Sequence, residues 1–431
     1  MKISSIAART LVHDKRRYIM LFFAASIGMA LTFSICGMMN GMMNSLYNKA
    51  RIYYGGDAML LNHYISFGDY DNFQSKLDPY FNKYGYFVSP RIEYVDESYV
   101  IFEGTSIKQR KLKGVDFAKE EKLFKSLNFV SGDALSMKNS NGILISQQLA
   151  DLLSVQIGDN VTLLVKTVKN YTNTASVIVK GIFQDTSVFG QNISYLDIDF
   201  LRNIAGISQD MASTIGIFSK AFNSKGLSKI QIAKIHKDLS GFLNMYKLTD
   251  SKNEFLGDPN SFRSPKDASK ICLVSLDANL DDIAFLIDAM HLIIFLIMTV
   301  LIIIIAIGIG STYKIIAVKR INEIGIYMAL GMKPSKILFV FLIEAFFLLS
   351  LSFGFSIVLS LLIVLLFRMI DFSGIPNFDI FLSNSHILIN LSWWQILVIF
   401  IVICIVTMFF VFMTIRKNVK INPVDALSVA E

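Results

Sequence analysis

Charge is scarce in this sequence. Asp, Glu, Lys and Arg make up 17% of its 431 residues, against about 25% in ordinary soluble domains. Hydrophobic residues reach 53%, with a mean hydropathy of +0.51. That balance excludes an ordinary cytosolic enzyme, and it also excludes disorder, which needs low hydrophobicity and high net charge. Cysteine is scarcer still. Cys36, Cys272 and Cys404 are too few for a disulfide scaffold or a cysteine-rich zinc module. The five histidines (His13, His63, His236, His291, His386) are scattered and show no metal-ligand spacing. No GxxxxGK[ST] loop is present, so ATP cannot be held in a P-loop, and neither HExxH nor GxSxG occurs. No catalytic constellation stands out, and the expectation is a non-catalytic chain with no cofactor and no metal of its own.

What the chain has is long apolar runs. Four reach the roughly 20 mostly apolar residues that cross a membrane, at 18–40, 285–312, 337–367 and 396–414. The first begins like a secretory signal, but its apolar run is too long and no A-x-A cleavage pattern follows, so it reads as a retained span. Basic residues set the orientation. Segment 1–17 carries Lys2, Arg9, Lys15, Arg16 and Arg17 against Asp14. Segment 313–336 carries Lys314, Lys319, Arg320, Lys333 and Lys336 against Glu323, and the tail 415–431 carries Arg416, Lys417 and Lys420 against Asp425 and Glu431. The loop 368–395 has only Arg368 against Asp371 and Asp379. Both termini and 313–336 are therefore expected in the cytoplasm, with 41–284 and 368–395 outside. The net charge of +7 gathers on the cytoplasmic side, where anionic lipid accounts for it without nucleic acid.

The external segment 41–284 reads as an α+β domain. DAMLLN (57–62) has strand character. Phe73, Leu77, Tyr80, Phe81 and Tyr84 fall at helical spacing. Alternating runs occupy 92–102 and 107–116, and 141–165 reads as strand, short helix, Gly-Asp turn and strand. Strands follow at about 175–184, 192–198 and 213–218. An amphipathic helix then carries Ile230, Ile232, Ile235, Leu239 and Phe242. The polar stretch 248–268 reads as a loop, and LDANLDDIAFLIDAM from Leu276 as a helical stalk running into the second span.

The most informative segment is Lys314–Lys336, KIIAVKRINEIGIYMALGMKPSK. Its pattern from Val318 to Leu330 is helical. Gly331 suits a left-handed helix stop, and Pro334 the first turn of the next helix. Ile321, Ile324, Met328 and Gly331 share one side with Tyr327 beside them, flanked by Arg320 and Glu323. A short amphipathic helix of this kind lies on the lipid surface or docks into a groove on a partner.

The stretch RINEIGIYMALGMKPSKILFVFLIEAFFLLSLSFGFSIVLSLLI (320–363) resembles the signature of FtsX-like ABC permeases: the basic-x-x-Glu-Ile-Gly start, the Ala-Leu-Gly stop, and an acid, Glu344, early in the next span. NGILISQQLADLLSVQIGDNVTLL (141–164) and LKGVD (112–116) resemble their external domain, and INPVDALS (421–428) is similar to their ending. MMNGM (38–42) followed by GGDAML (55–60) looks most like the lipoprotein-releasing (Lol) branch. The resemblance implies an α-helical membrane domain of four spans plus a large α+β MacB-type periplasmic domain, with a Sabre part at roughly 120–205 inserted in a Porter part. It implies a permease region over 285–425, a home in the bacterial inner membrane, and a coupling helix at about 318–331 that docks on a separate cytoplasmic ATPase dimer, which would bind the ATP and magnesium. It further implies a second permease, identical or different, a lipoprotein substrate and a periplasmic carrier. Export of peptides or hydrophobic drugs, and signalling to a cell-wall hydrolase, are the alternatives. The link KTVKNYTNTA after Val165 is shorter than a carrier-capturing hook requires.

Candidate site residues follow from this. For ATPase coupling they are Arg320, Glu323, Ile324, Tyr327, Met328, Leu330 and Gly331. Met38, Met39, Met42 and Met43 offer adaptable apolar surface for substrate or lipid, or simply helix packing. Ala24-x-x-x-Gly28 and Gly37-x-x-x-Gly41 let helices approach closely and suit pairing of permeases. Glu344, an acid in a span, is functional by default inside a membrane, or else reaches the interface or pairs with Lys336 or Arg320; a structural role is expected over transport chemistry.

Overall fold

A computed structural model describes residues 15–62, 67–94, 97–185, 189–220, 226–258, 270–372, 375, 378–383 and 385–419. His13, His63, Lys2, Arg9 and the INPVDALS ending lie outside the described residues. The chain forms two compact units. One takes the residues up to Met42, Ile287–Ile370 and those from Ile387 onward, and the other Met43–Leu286 with Asp371–His386.

The first unit is helical. Among the described residues four helices are long and apolar enough to cross a membrane: Lys15–Tyr54, Ala284–Lys319, Pro334–Arg368 and Trp393–Asn418. The first contains 40 residues and the second 36, or about 60 Å and about 54 Å at 1.5 Å per residue, well beyond a hydrocarbon core of about 30 Å. Apolar runs mark only the part of a helix that lipid can solvate, so the sequence closed the first span at 40, whereas helix continues through Asn44, Asn48, Lys49 and Arg51. The core of this unit joins Ala25, Met29 and Phe33 of the first helix to Ile309 and Tyr313 of the second, Phe341 and Leu348 of the third and Ile403 and Val411 of the fourth. Ser392 and Gln395 open the fourth helix with a capping box, in which each side chain satisfies an orphan N–H of the first turn.

The second unit is α+β, built on one mixed sheet. Its strands are β1 (Ala58–Asn62), β2 (Tyr86–Tyr94), β3 (Ser98–Phe102), β4 (Thr105–Lys108), β5 (Lys111–Val115), β6 (Phe129–Gly132), β7 (Gly142–Ser146), β8 (Asn160–Lys166), β9 (Thr172–Phe183), β10 (Ile193–Asp197), β11 (Thr214–Ser219) and β12 (Ile271–Ser275). Their order is β12-β1-β11-β2-β5-β10-β7-β9-β8-β3-β4, with β6 on β9. β5–β10 and β7–β9 are parallel and the remaining pairs antiparallel. One core gathers under β1, β2, β11 and β12, with Leu77, Phe81, Ile232, Ile235 and Leu239 from two helices. A second gathers around β3, β7, β8, β9 and the helices Gln147–Leu153 and Ile198–Ala205.

Four local features differ from the sequence reading. Edge strand β12 pairs with β1 (Ala58 opposite Ser275) and was hidden behind a polar stretch. Lys252–Gly257 is helical within the expected loop. Ile230 and Phe242 are 84% and 47% exposed: Ile230 lies inside helix Lys229–Leu239 but on the face opposite Ile232, Ile235 and Leu239, and Phe242 lies beyond the helix end. The loop between the third and fourth long helices packs as part of the sheet unit: Ile380, Phe381 and Leu382 are buried, and Lys49 Nζ donates to the Asp379 carbonyl at 2.5 Å.

The first helix ends in this unit on a joint of buried charge. Arg91 Nη1 donates to the Ile52 carbonyl at 2.5 Å, and Lys113 Nζ donates to that of Tyr53. Cations at a helix C-terminus meet its unsatisfied carbonyls and the negative end of its dipole. Each cation has its own carboxylate: Glu120 receives Arg91 at 2.5 and 3.1 Å, and Glu93 receives Lys113 at 2.9 Å. Burial depresses the Lys113 ammonium to about 8 against the pull of Glu93. Burial alone would raise Glu93, but Lys113 and Lys111 outweigh it and hold the carboxyl below its ordinary range.

Candidate functional site

The segment between the second and third long helices is built around Arg320. The second helix ends at Lys319, Arg320 departs from helical geometry (φ −104°, ψ 21°), and a short helix runs Ile321–Ala329. It closes on a Schellman motif: Gly331 N–H donates to the Met328 carbonyl and Met332 N–H to that of Tyr327, both at 2.9 Å. Gly331 has φ +85°, the left-handed geometry this motif demands. Pro334 occupies the first turn of the third helix, where its missing N–H costs nothing.

Arg320 is buried, with only 2% of its side chain exposed. Its Nη1 donates to both oxygens of Glu344, at 3.1 and 3.0 Å, and its Nε to Glu323 at 2.8 Å. The guanidinium lies 5.0 Å from the Phe341 ring centroid, within cation–π range. Tyr18 of the first helix donates its hydroxyl to Glu344 at 3.0 Å, and its ring stands 6.2 Å from that of Tyr313. Glu344 thus draws three elements together: the first helix through Tyr18, the helix–helix junction through Arg320, and the third helix that carries it. An ionised residue at membrane depth requires such partners.

This geometry corrects the sequence reading of the short helix. Arg320 was expected to flank an outward stripe, yet Glu344 draws it inward. Ile324 and Gly325 are buried, and Tyr327 and Met328 are half-buried against the bundle core. Of the expected coupling residues, Glu323, Leu330 and Gly331 are exposed. Ile326 was not singled out, but it is 50% exposed and stands one turn before Leu330, which is 79% exposed. Asn322, Glu323, Ile326, Ala329 and Leu330 therefore form the outward face. The i, i+4 pair Ile326 and Leu330 was the available signal, masked by the stronger stripe that turned out to be core.

The other candidates are occupied within the chain. Met39, Met42 and Met43 are buried and Met38 is half-buried, so they pack and do not form an open surface. A Cβ on Gly28 would lie 2.6 Å from Ile305, on Gly37 2.7 Å from Ile389 and Leu391, and on Gly41 1.4 Å from the Leu388 carbonyl oxygen. These small residues serve close approach inside the chain. Ala24 is exposed beside Gly28, in a shallow apolar groove shared with Leu301, Ile304 and Gly308 of the second helix. β8 and β9 are joined by only residues 167–171, closed by Thr167 N–H to the Tyr171 carbonyl at 2.7 Å. Among the described residues no three His, Cys, Asp or Glu side chains converge as metal ligands.

Residues 295–423 match the family model for the FtsX-like permease C-terminal region. Among solved structures, the periplasmic region of MacB from Actinobacillus actinomycetemcomitans is similar over 53% of this chain and 94% of its own, at 11% identity and a TM-score of 0.31. No curated protein matches.

Proposed function

We propose, with an FtsX-like permease as the premise, that this chain is the membrane subunit of an ABC transporter that releases lipoproteins from the inner membrane, driven by a separate ATPase. The observation that carries the coupling role is the outward face Asn322, Glu323, Ile326, Ala329 and Leu330, an exposed apolar pair rimmed by polar groups on a helix fixed at both ends. Such a helix lays its apolar anchors into a partner's groove. Behind it, Arg320, Glu344 and Tyr18 make the helix, the first span and the third span one connected assembly, so displacement of the short helix is passed to two spans at once.

The chain itself binds no nucleotide in this reading; ATP and magnesium belong to the ATPase dimer. A second permease completes the transporter, with both termini on the cytoplasmic side and the sheet unit outside. Lipoprotein release makes a steep demand. At about 0.8 kcal/mol per buried CH₂, three acyl chains of about 16 carbons hold on the order of 40 kcal/mol in lipid, so the anchor needs apolar shelter throughout its transfer.

Ile326→Asp with Leu330→Glu tests the docking claim. Both positions are exposed, so the chain is expected to insert and fold, while co-purification with the ATPase and stimulated hydrolysis are lost. Unchanged hydrolysis removes the claim. Depletion followed by mass spectrometry of inner-membrane lipoproteins tests the substrate, with accumulation as the expected result. The five-residue link at 167–171 favours a second reading, export of a peptide or hydrophobic drug without a carrier-capturing hook, and that reading leaves lipoprotein levels unchanged on depletion.

A further inference from the structure

The sheet unit carries an apolar cleft that the coupling mechanism does not use. Its volume is about 540 Å³, within the range of about 300–1,000 Å³ typical of ligand sites. It lies between the start of helix Lys229–Leu239, the stretch 248–250, and the residues from Ser275 to Ala284 that lead into the second long helix. Leu227 and Ile232 form its floor, and Ile230 and Leu248, 84% and 45% exposed, stand at its edge. Large aliphatic side chains gathered in the open on an extramembrane domain mark a contact surface.

The charge around the cleft says what covers it. Three carboxylates line it: Asp250, Asp277 and Asp281. Lys229, the one lining cation among the described residues, is matched to Asp250 at 3.2 Å. Asp277 is hydrogen-bonded to Tyr47, whose phenol burial and this neighbour push up to about 12, and Asp281 accepts from the Ser251 hydroxyl. Neither has an ion-pair partner among the described residues. The occupant must therefore bring apolar side chains and positive charge together. The cleft is partly open to solvent, which suits a peptide that buries one face and leaves the other in water.

We infer that this cleft binds a basic, apolar peptide segment of a partner or substrate protein, with aliphatic side chains against Leu227, Ile230 and Leu248 and a lysine or arginine beside Asp277 and Asp281. The inference is independent of ATPase docking, because binding is read on the chain alone without nucleotide. The full chain in phosphatidylcholine nanodiscs is titrated with a fluorescent twelve-residue peptide of alternating leucine and lysine, and with its leucine–glutamate counterpart, subtracting empty nanodiscs. Saturable binding of the basic peptide, at least tenfold tighter than the acidic one, is the expected result. Ile230→Lys removes the apolar edge and adds repulsion, and Ala233→Trp fills the cleft from another exposed position; each is expected to weaken binding at least tenfold. Equal binding of the two peptides, or no effect of either substitution, overturns the inference. So does displacement of the peptide by an equimolar twelve-carbon fatty acid, which would assign the cleft to lipid.

Discussion

Arg320 and Glu344 set the energetics of the helix junction. Both are buried and each satisfies the other, so removing one strands a charge, at a cost of about 3–5 kcal/mol. Arg320→Gln and Glu344→Gln are each expected to lower the thermal unfolding midpoint of the detergent-solubilised chain sharply, with the double variant losing less than the sum of the two. Strict additivity would mean that the pair does not interact. Tyr18→Phe removes one hydrogen bond to a charged group and is expected to cost about 1.5–3 kcal/mol. Pairing of Glu344 with Lys336 or Arg320 was legible as one alternative; which cation it takes, the Tyr18 contact and the inward turn of Arg320 were not. Arg320 and Glu344 are 24 positions apart on different helices, and periodicity reports a helix's own faces, not the neighbour that will claim one of them. Cys272 gives a simpler case. It is fully buried in β12, and burial raises its thiol to about 12. Because the thiolate is the reactive form, maleimide is expected to spare Cys272 in the folded chain and label it on unfolding.

Glycine decides two contacts between elements. Gly331 is left-handed at the close of the short helix, a geometry that costs a residue with a Cβ about 1–2 kcal/mol. Gly331→Ala is expected to lower the unfolding midpoint modestly and to slacken the proposed ATPase coupling before it abolishes folding. Gly41 has no such tolerance, since a Cβ there would overlap the Leu388 carbonyl. Gly41→Ala is expected to displace the chain around 388, detectable as faster amide exchange at Ile389 and Asn390. Unaltered exchange would refute the close approach. The stop at Gly331 and the start at Pro334 were readable because cap residues act locally. The role of Gly41 was not, because a small-x-x-x-small pair states that something approaches closely without saying what. β12 escaped for the opposite reason: five residues at a sheet edge carry too little pattern of their own, and only β1 beside them makes a strand.

At the scale of the whole molecule, four apolar helices and an α+β unit were legible from run length and alternation alone, since span length and strand period are set by bilayer thickness and by the pleat. The buried charge of the sheet unit was not, and it makes stability depend on pH. Lys113 has a folded value of about 8 against an ordinary 10.5. Between these values the unfolded chain holds a proton that the folded chain has released, so stability rises with pH across that window. Above about pH 10 the buried phenols of Tyr53 and Tyr195, which burial keeps protonated, reverse the trend, because the unfolded chain ionises them first. The unfolding midpoint is expected to climb from pH 8 to about 9.5. With Lys113→Met combined with Glu93→Gln the climb is expected to shrink; a slope identical to the parent chain's would remove Lys113 as its source.

The assignment of residues 371–386 to the sheet unit has a practical corollary. The polypeptide passes between its two units at four places, near 43, 287, 371 and 387, so no single cut yields the sheet unit whole. A fragment confined to 43–286 would lack Ile380, Phe381 and Leu382 and would bare the greasy seat they fill, inviting self-association in dilute buffer. Grafting 371–386 onto such a fragment through a flexible tether is the remedy this architecture recommends.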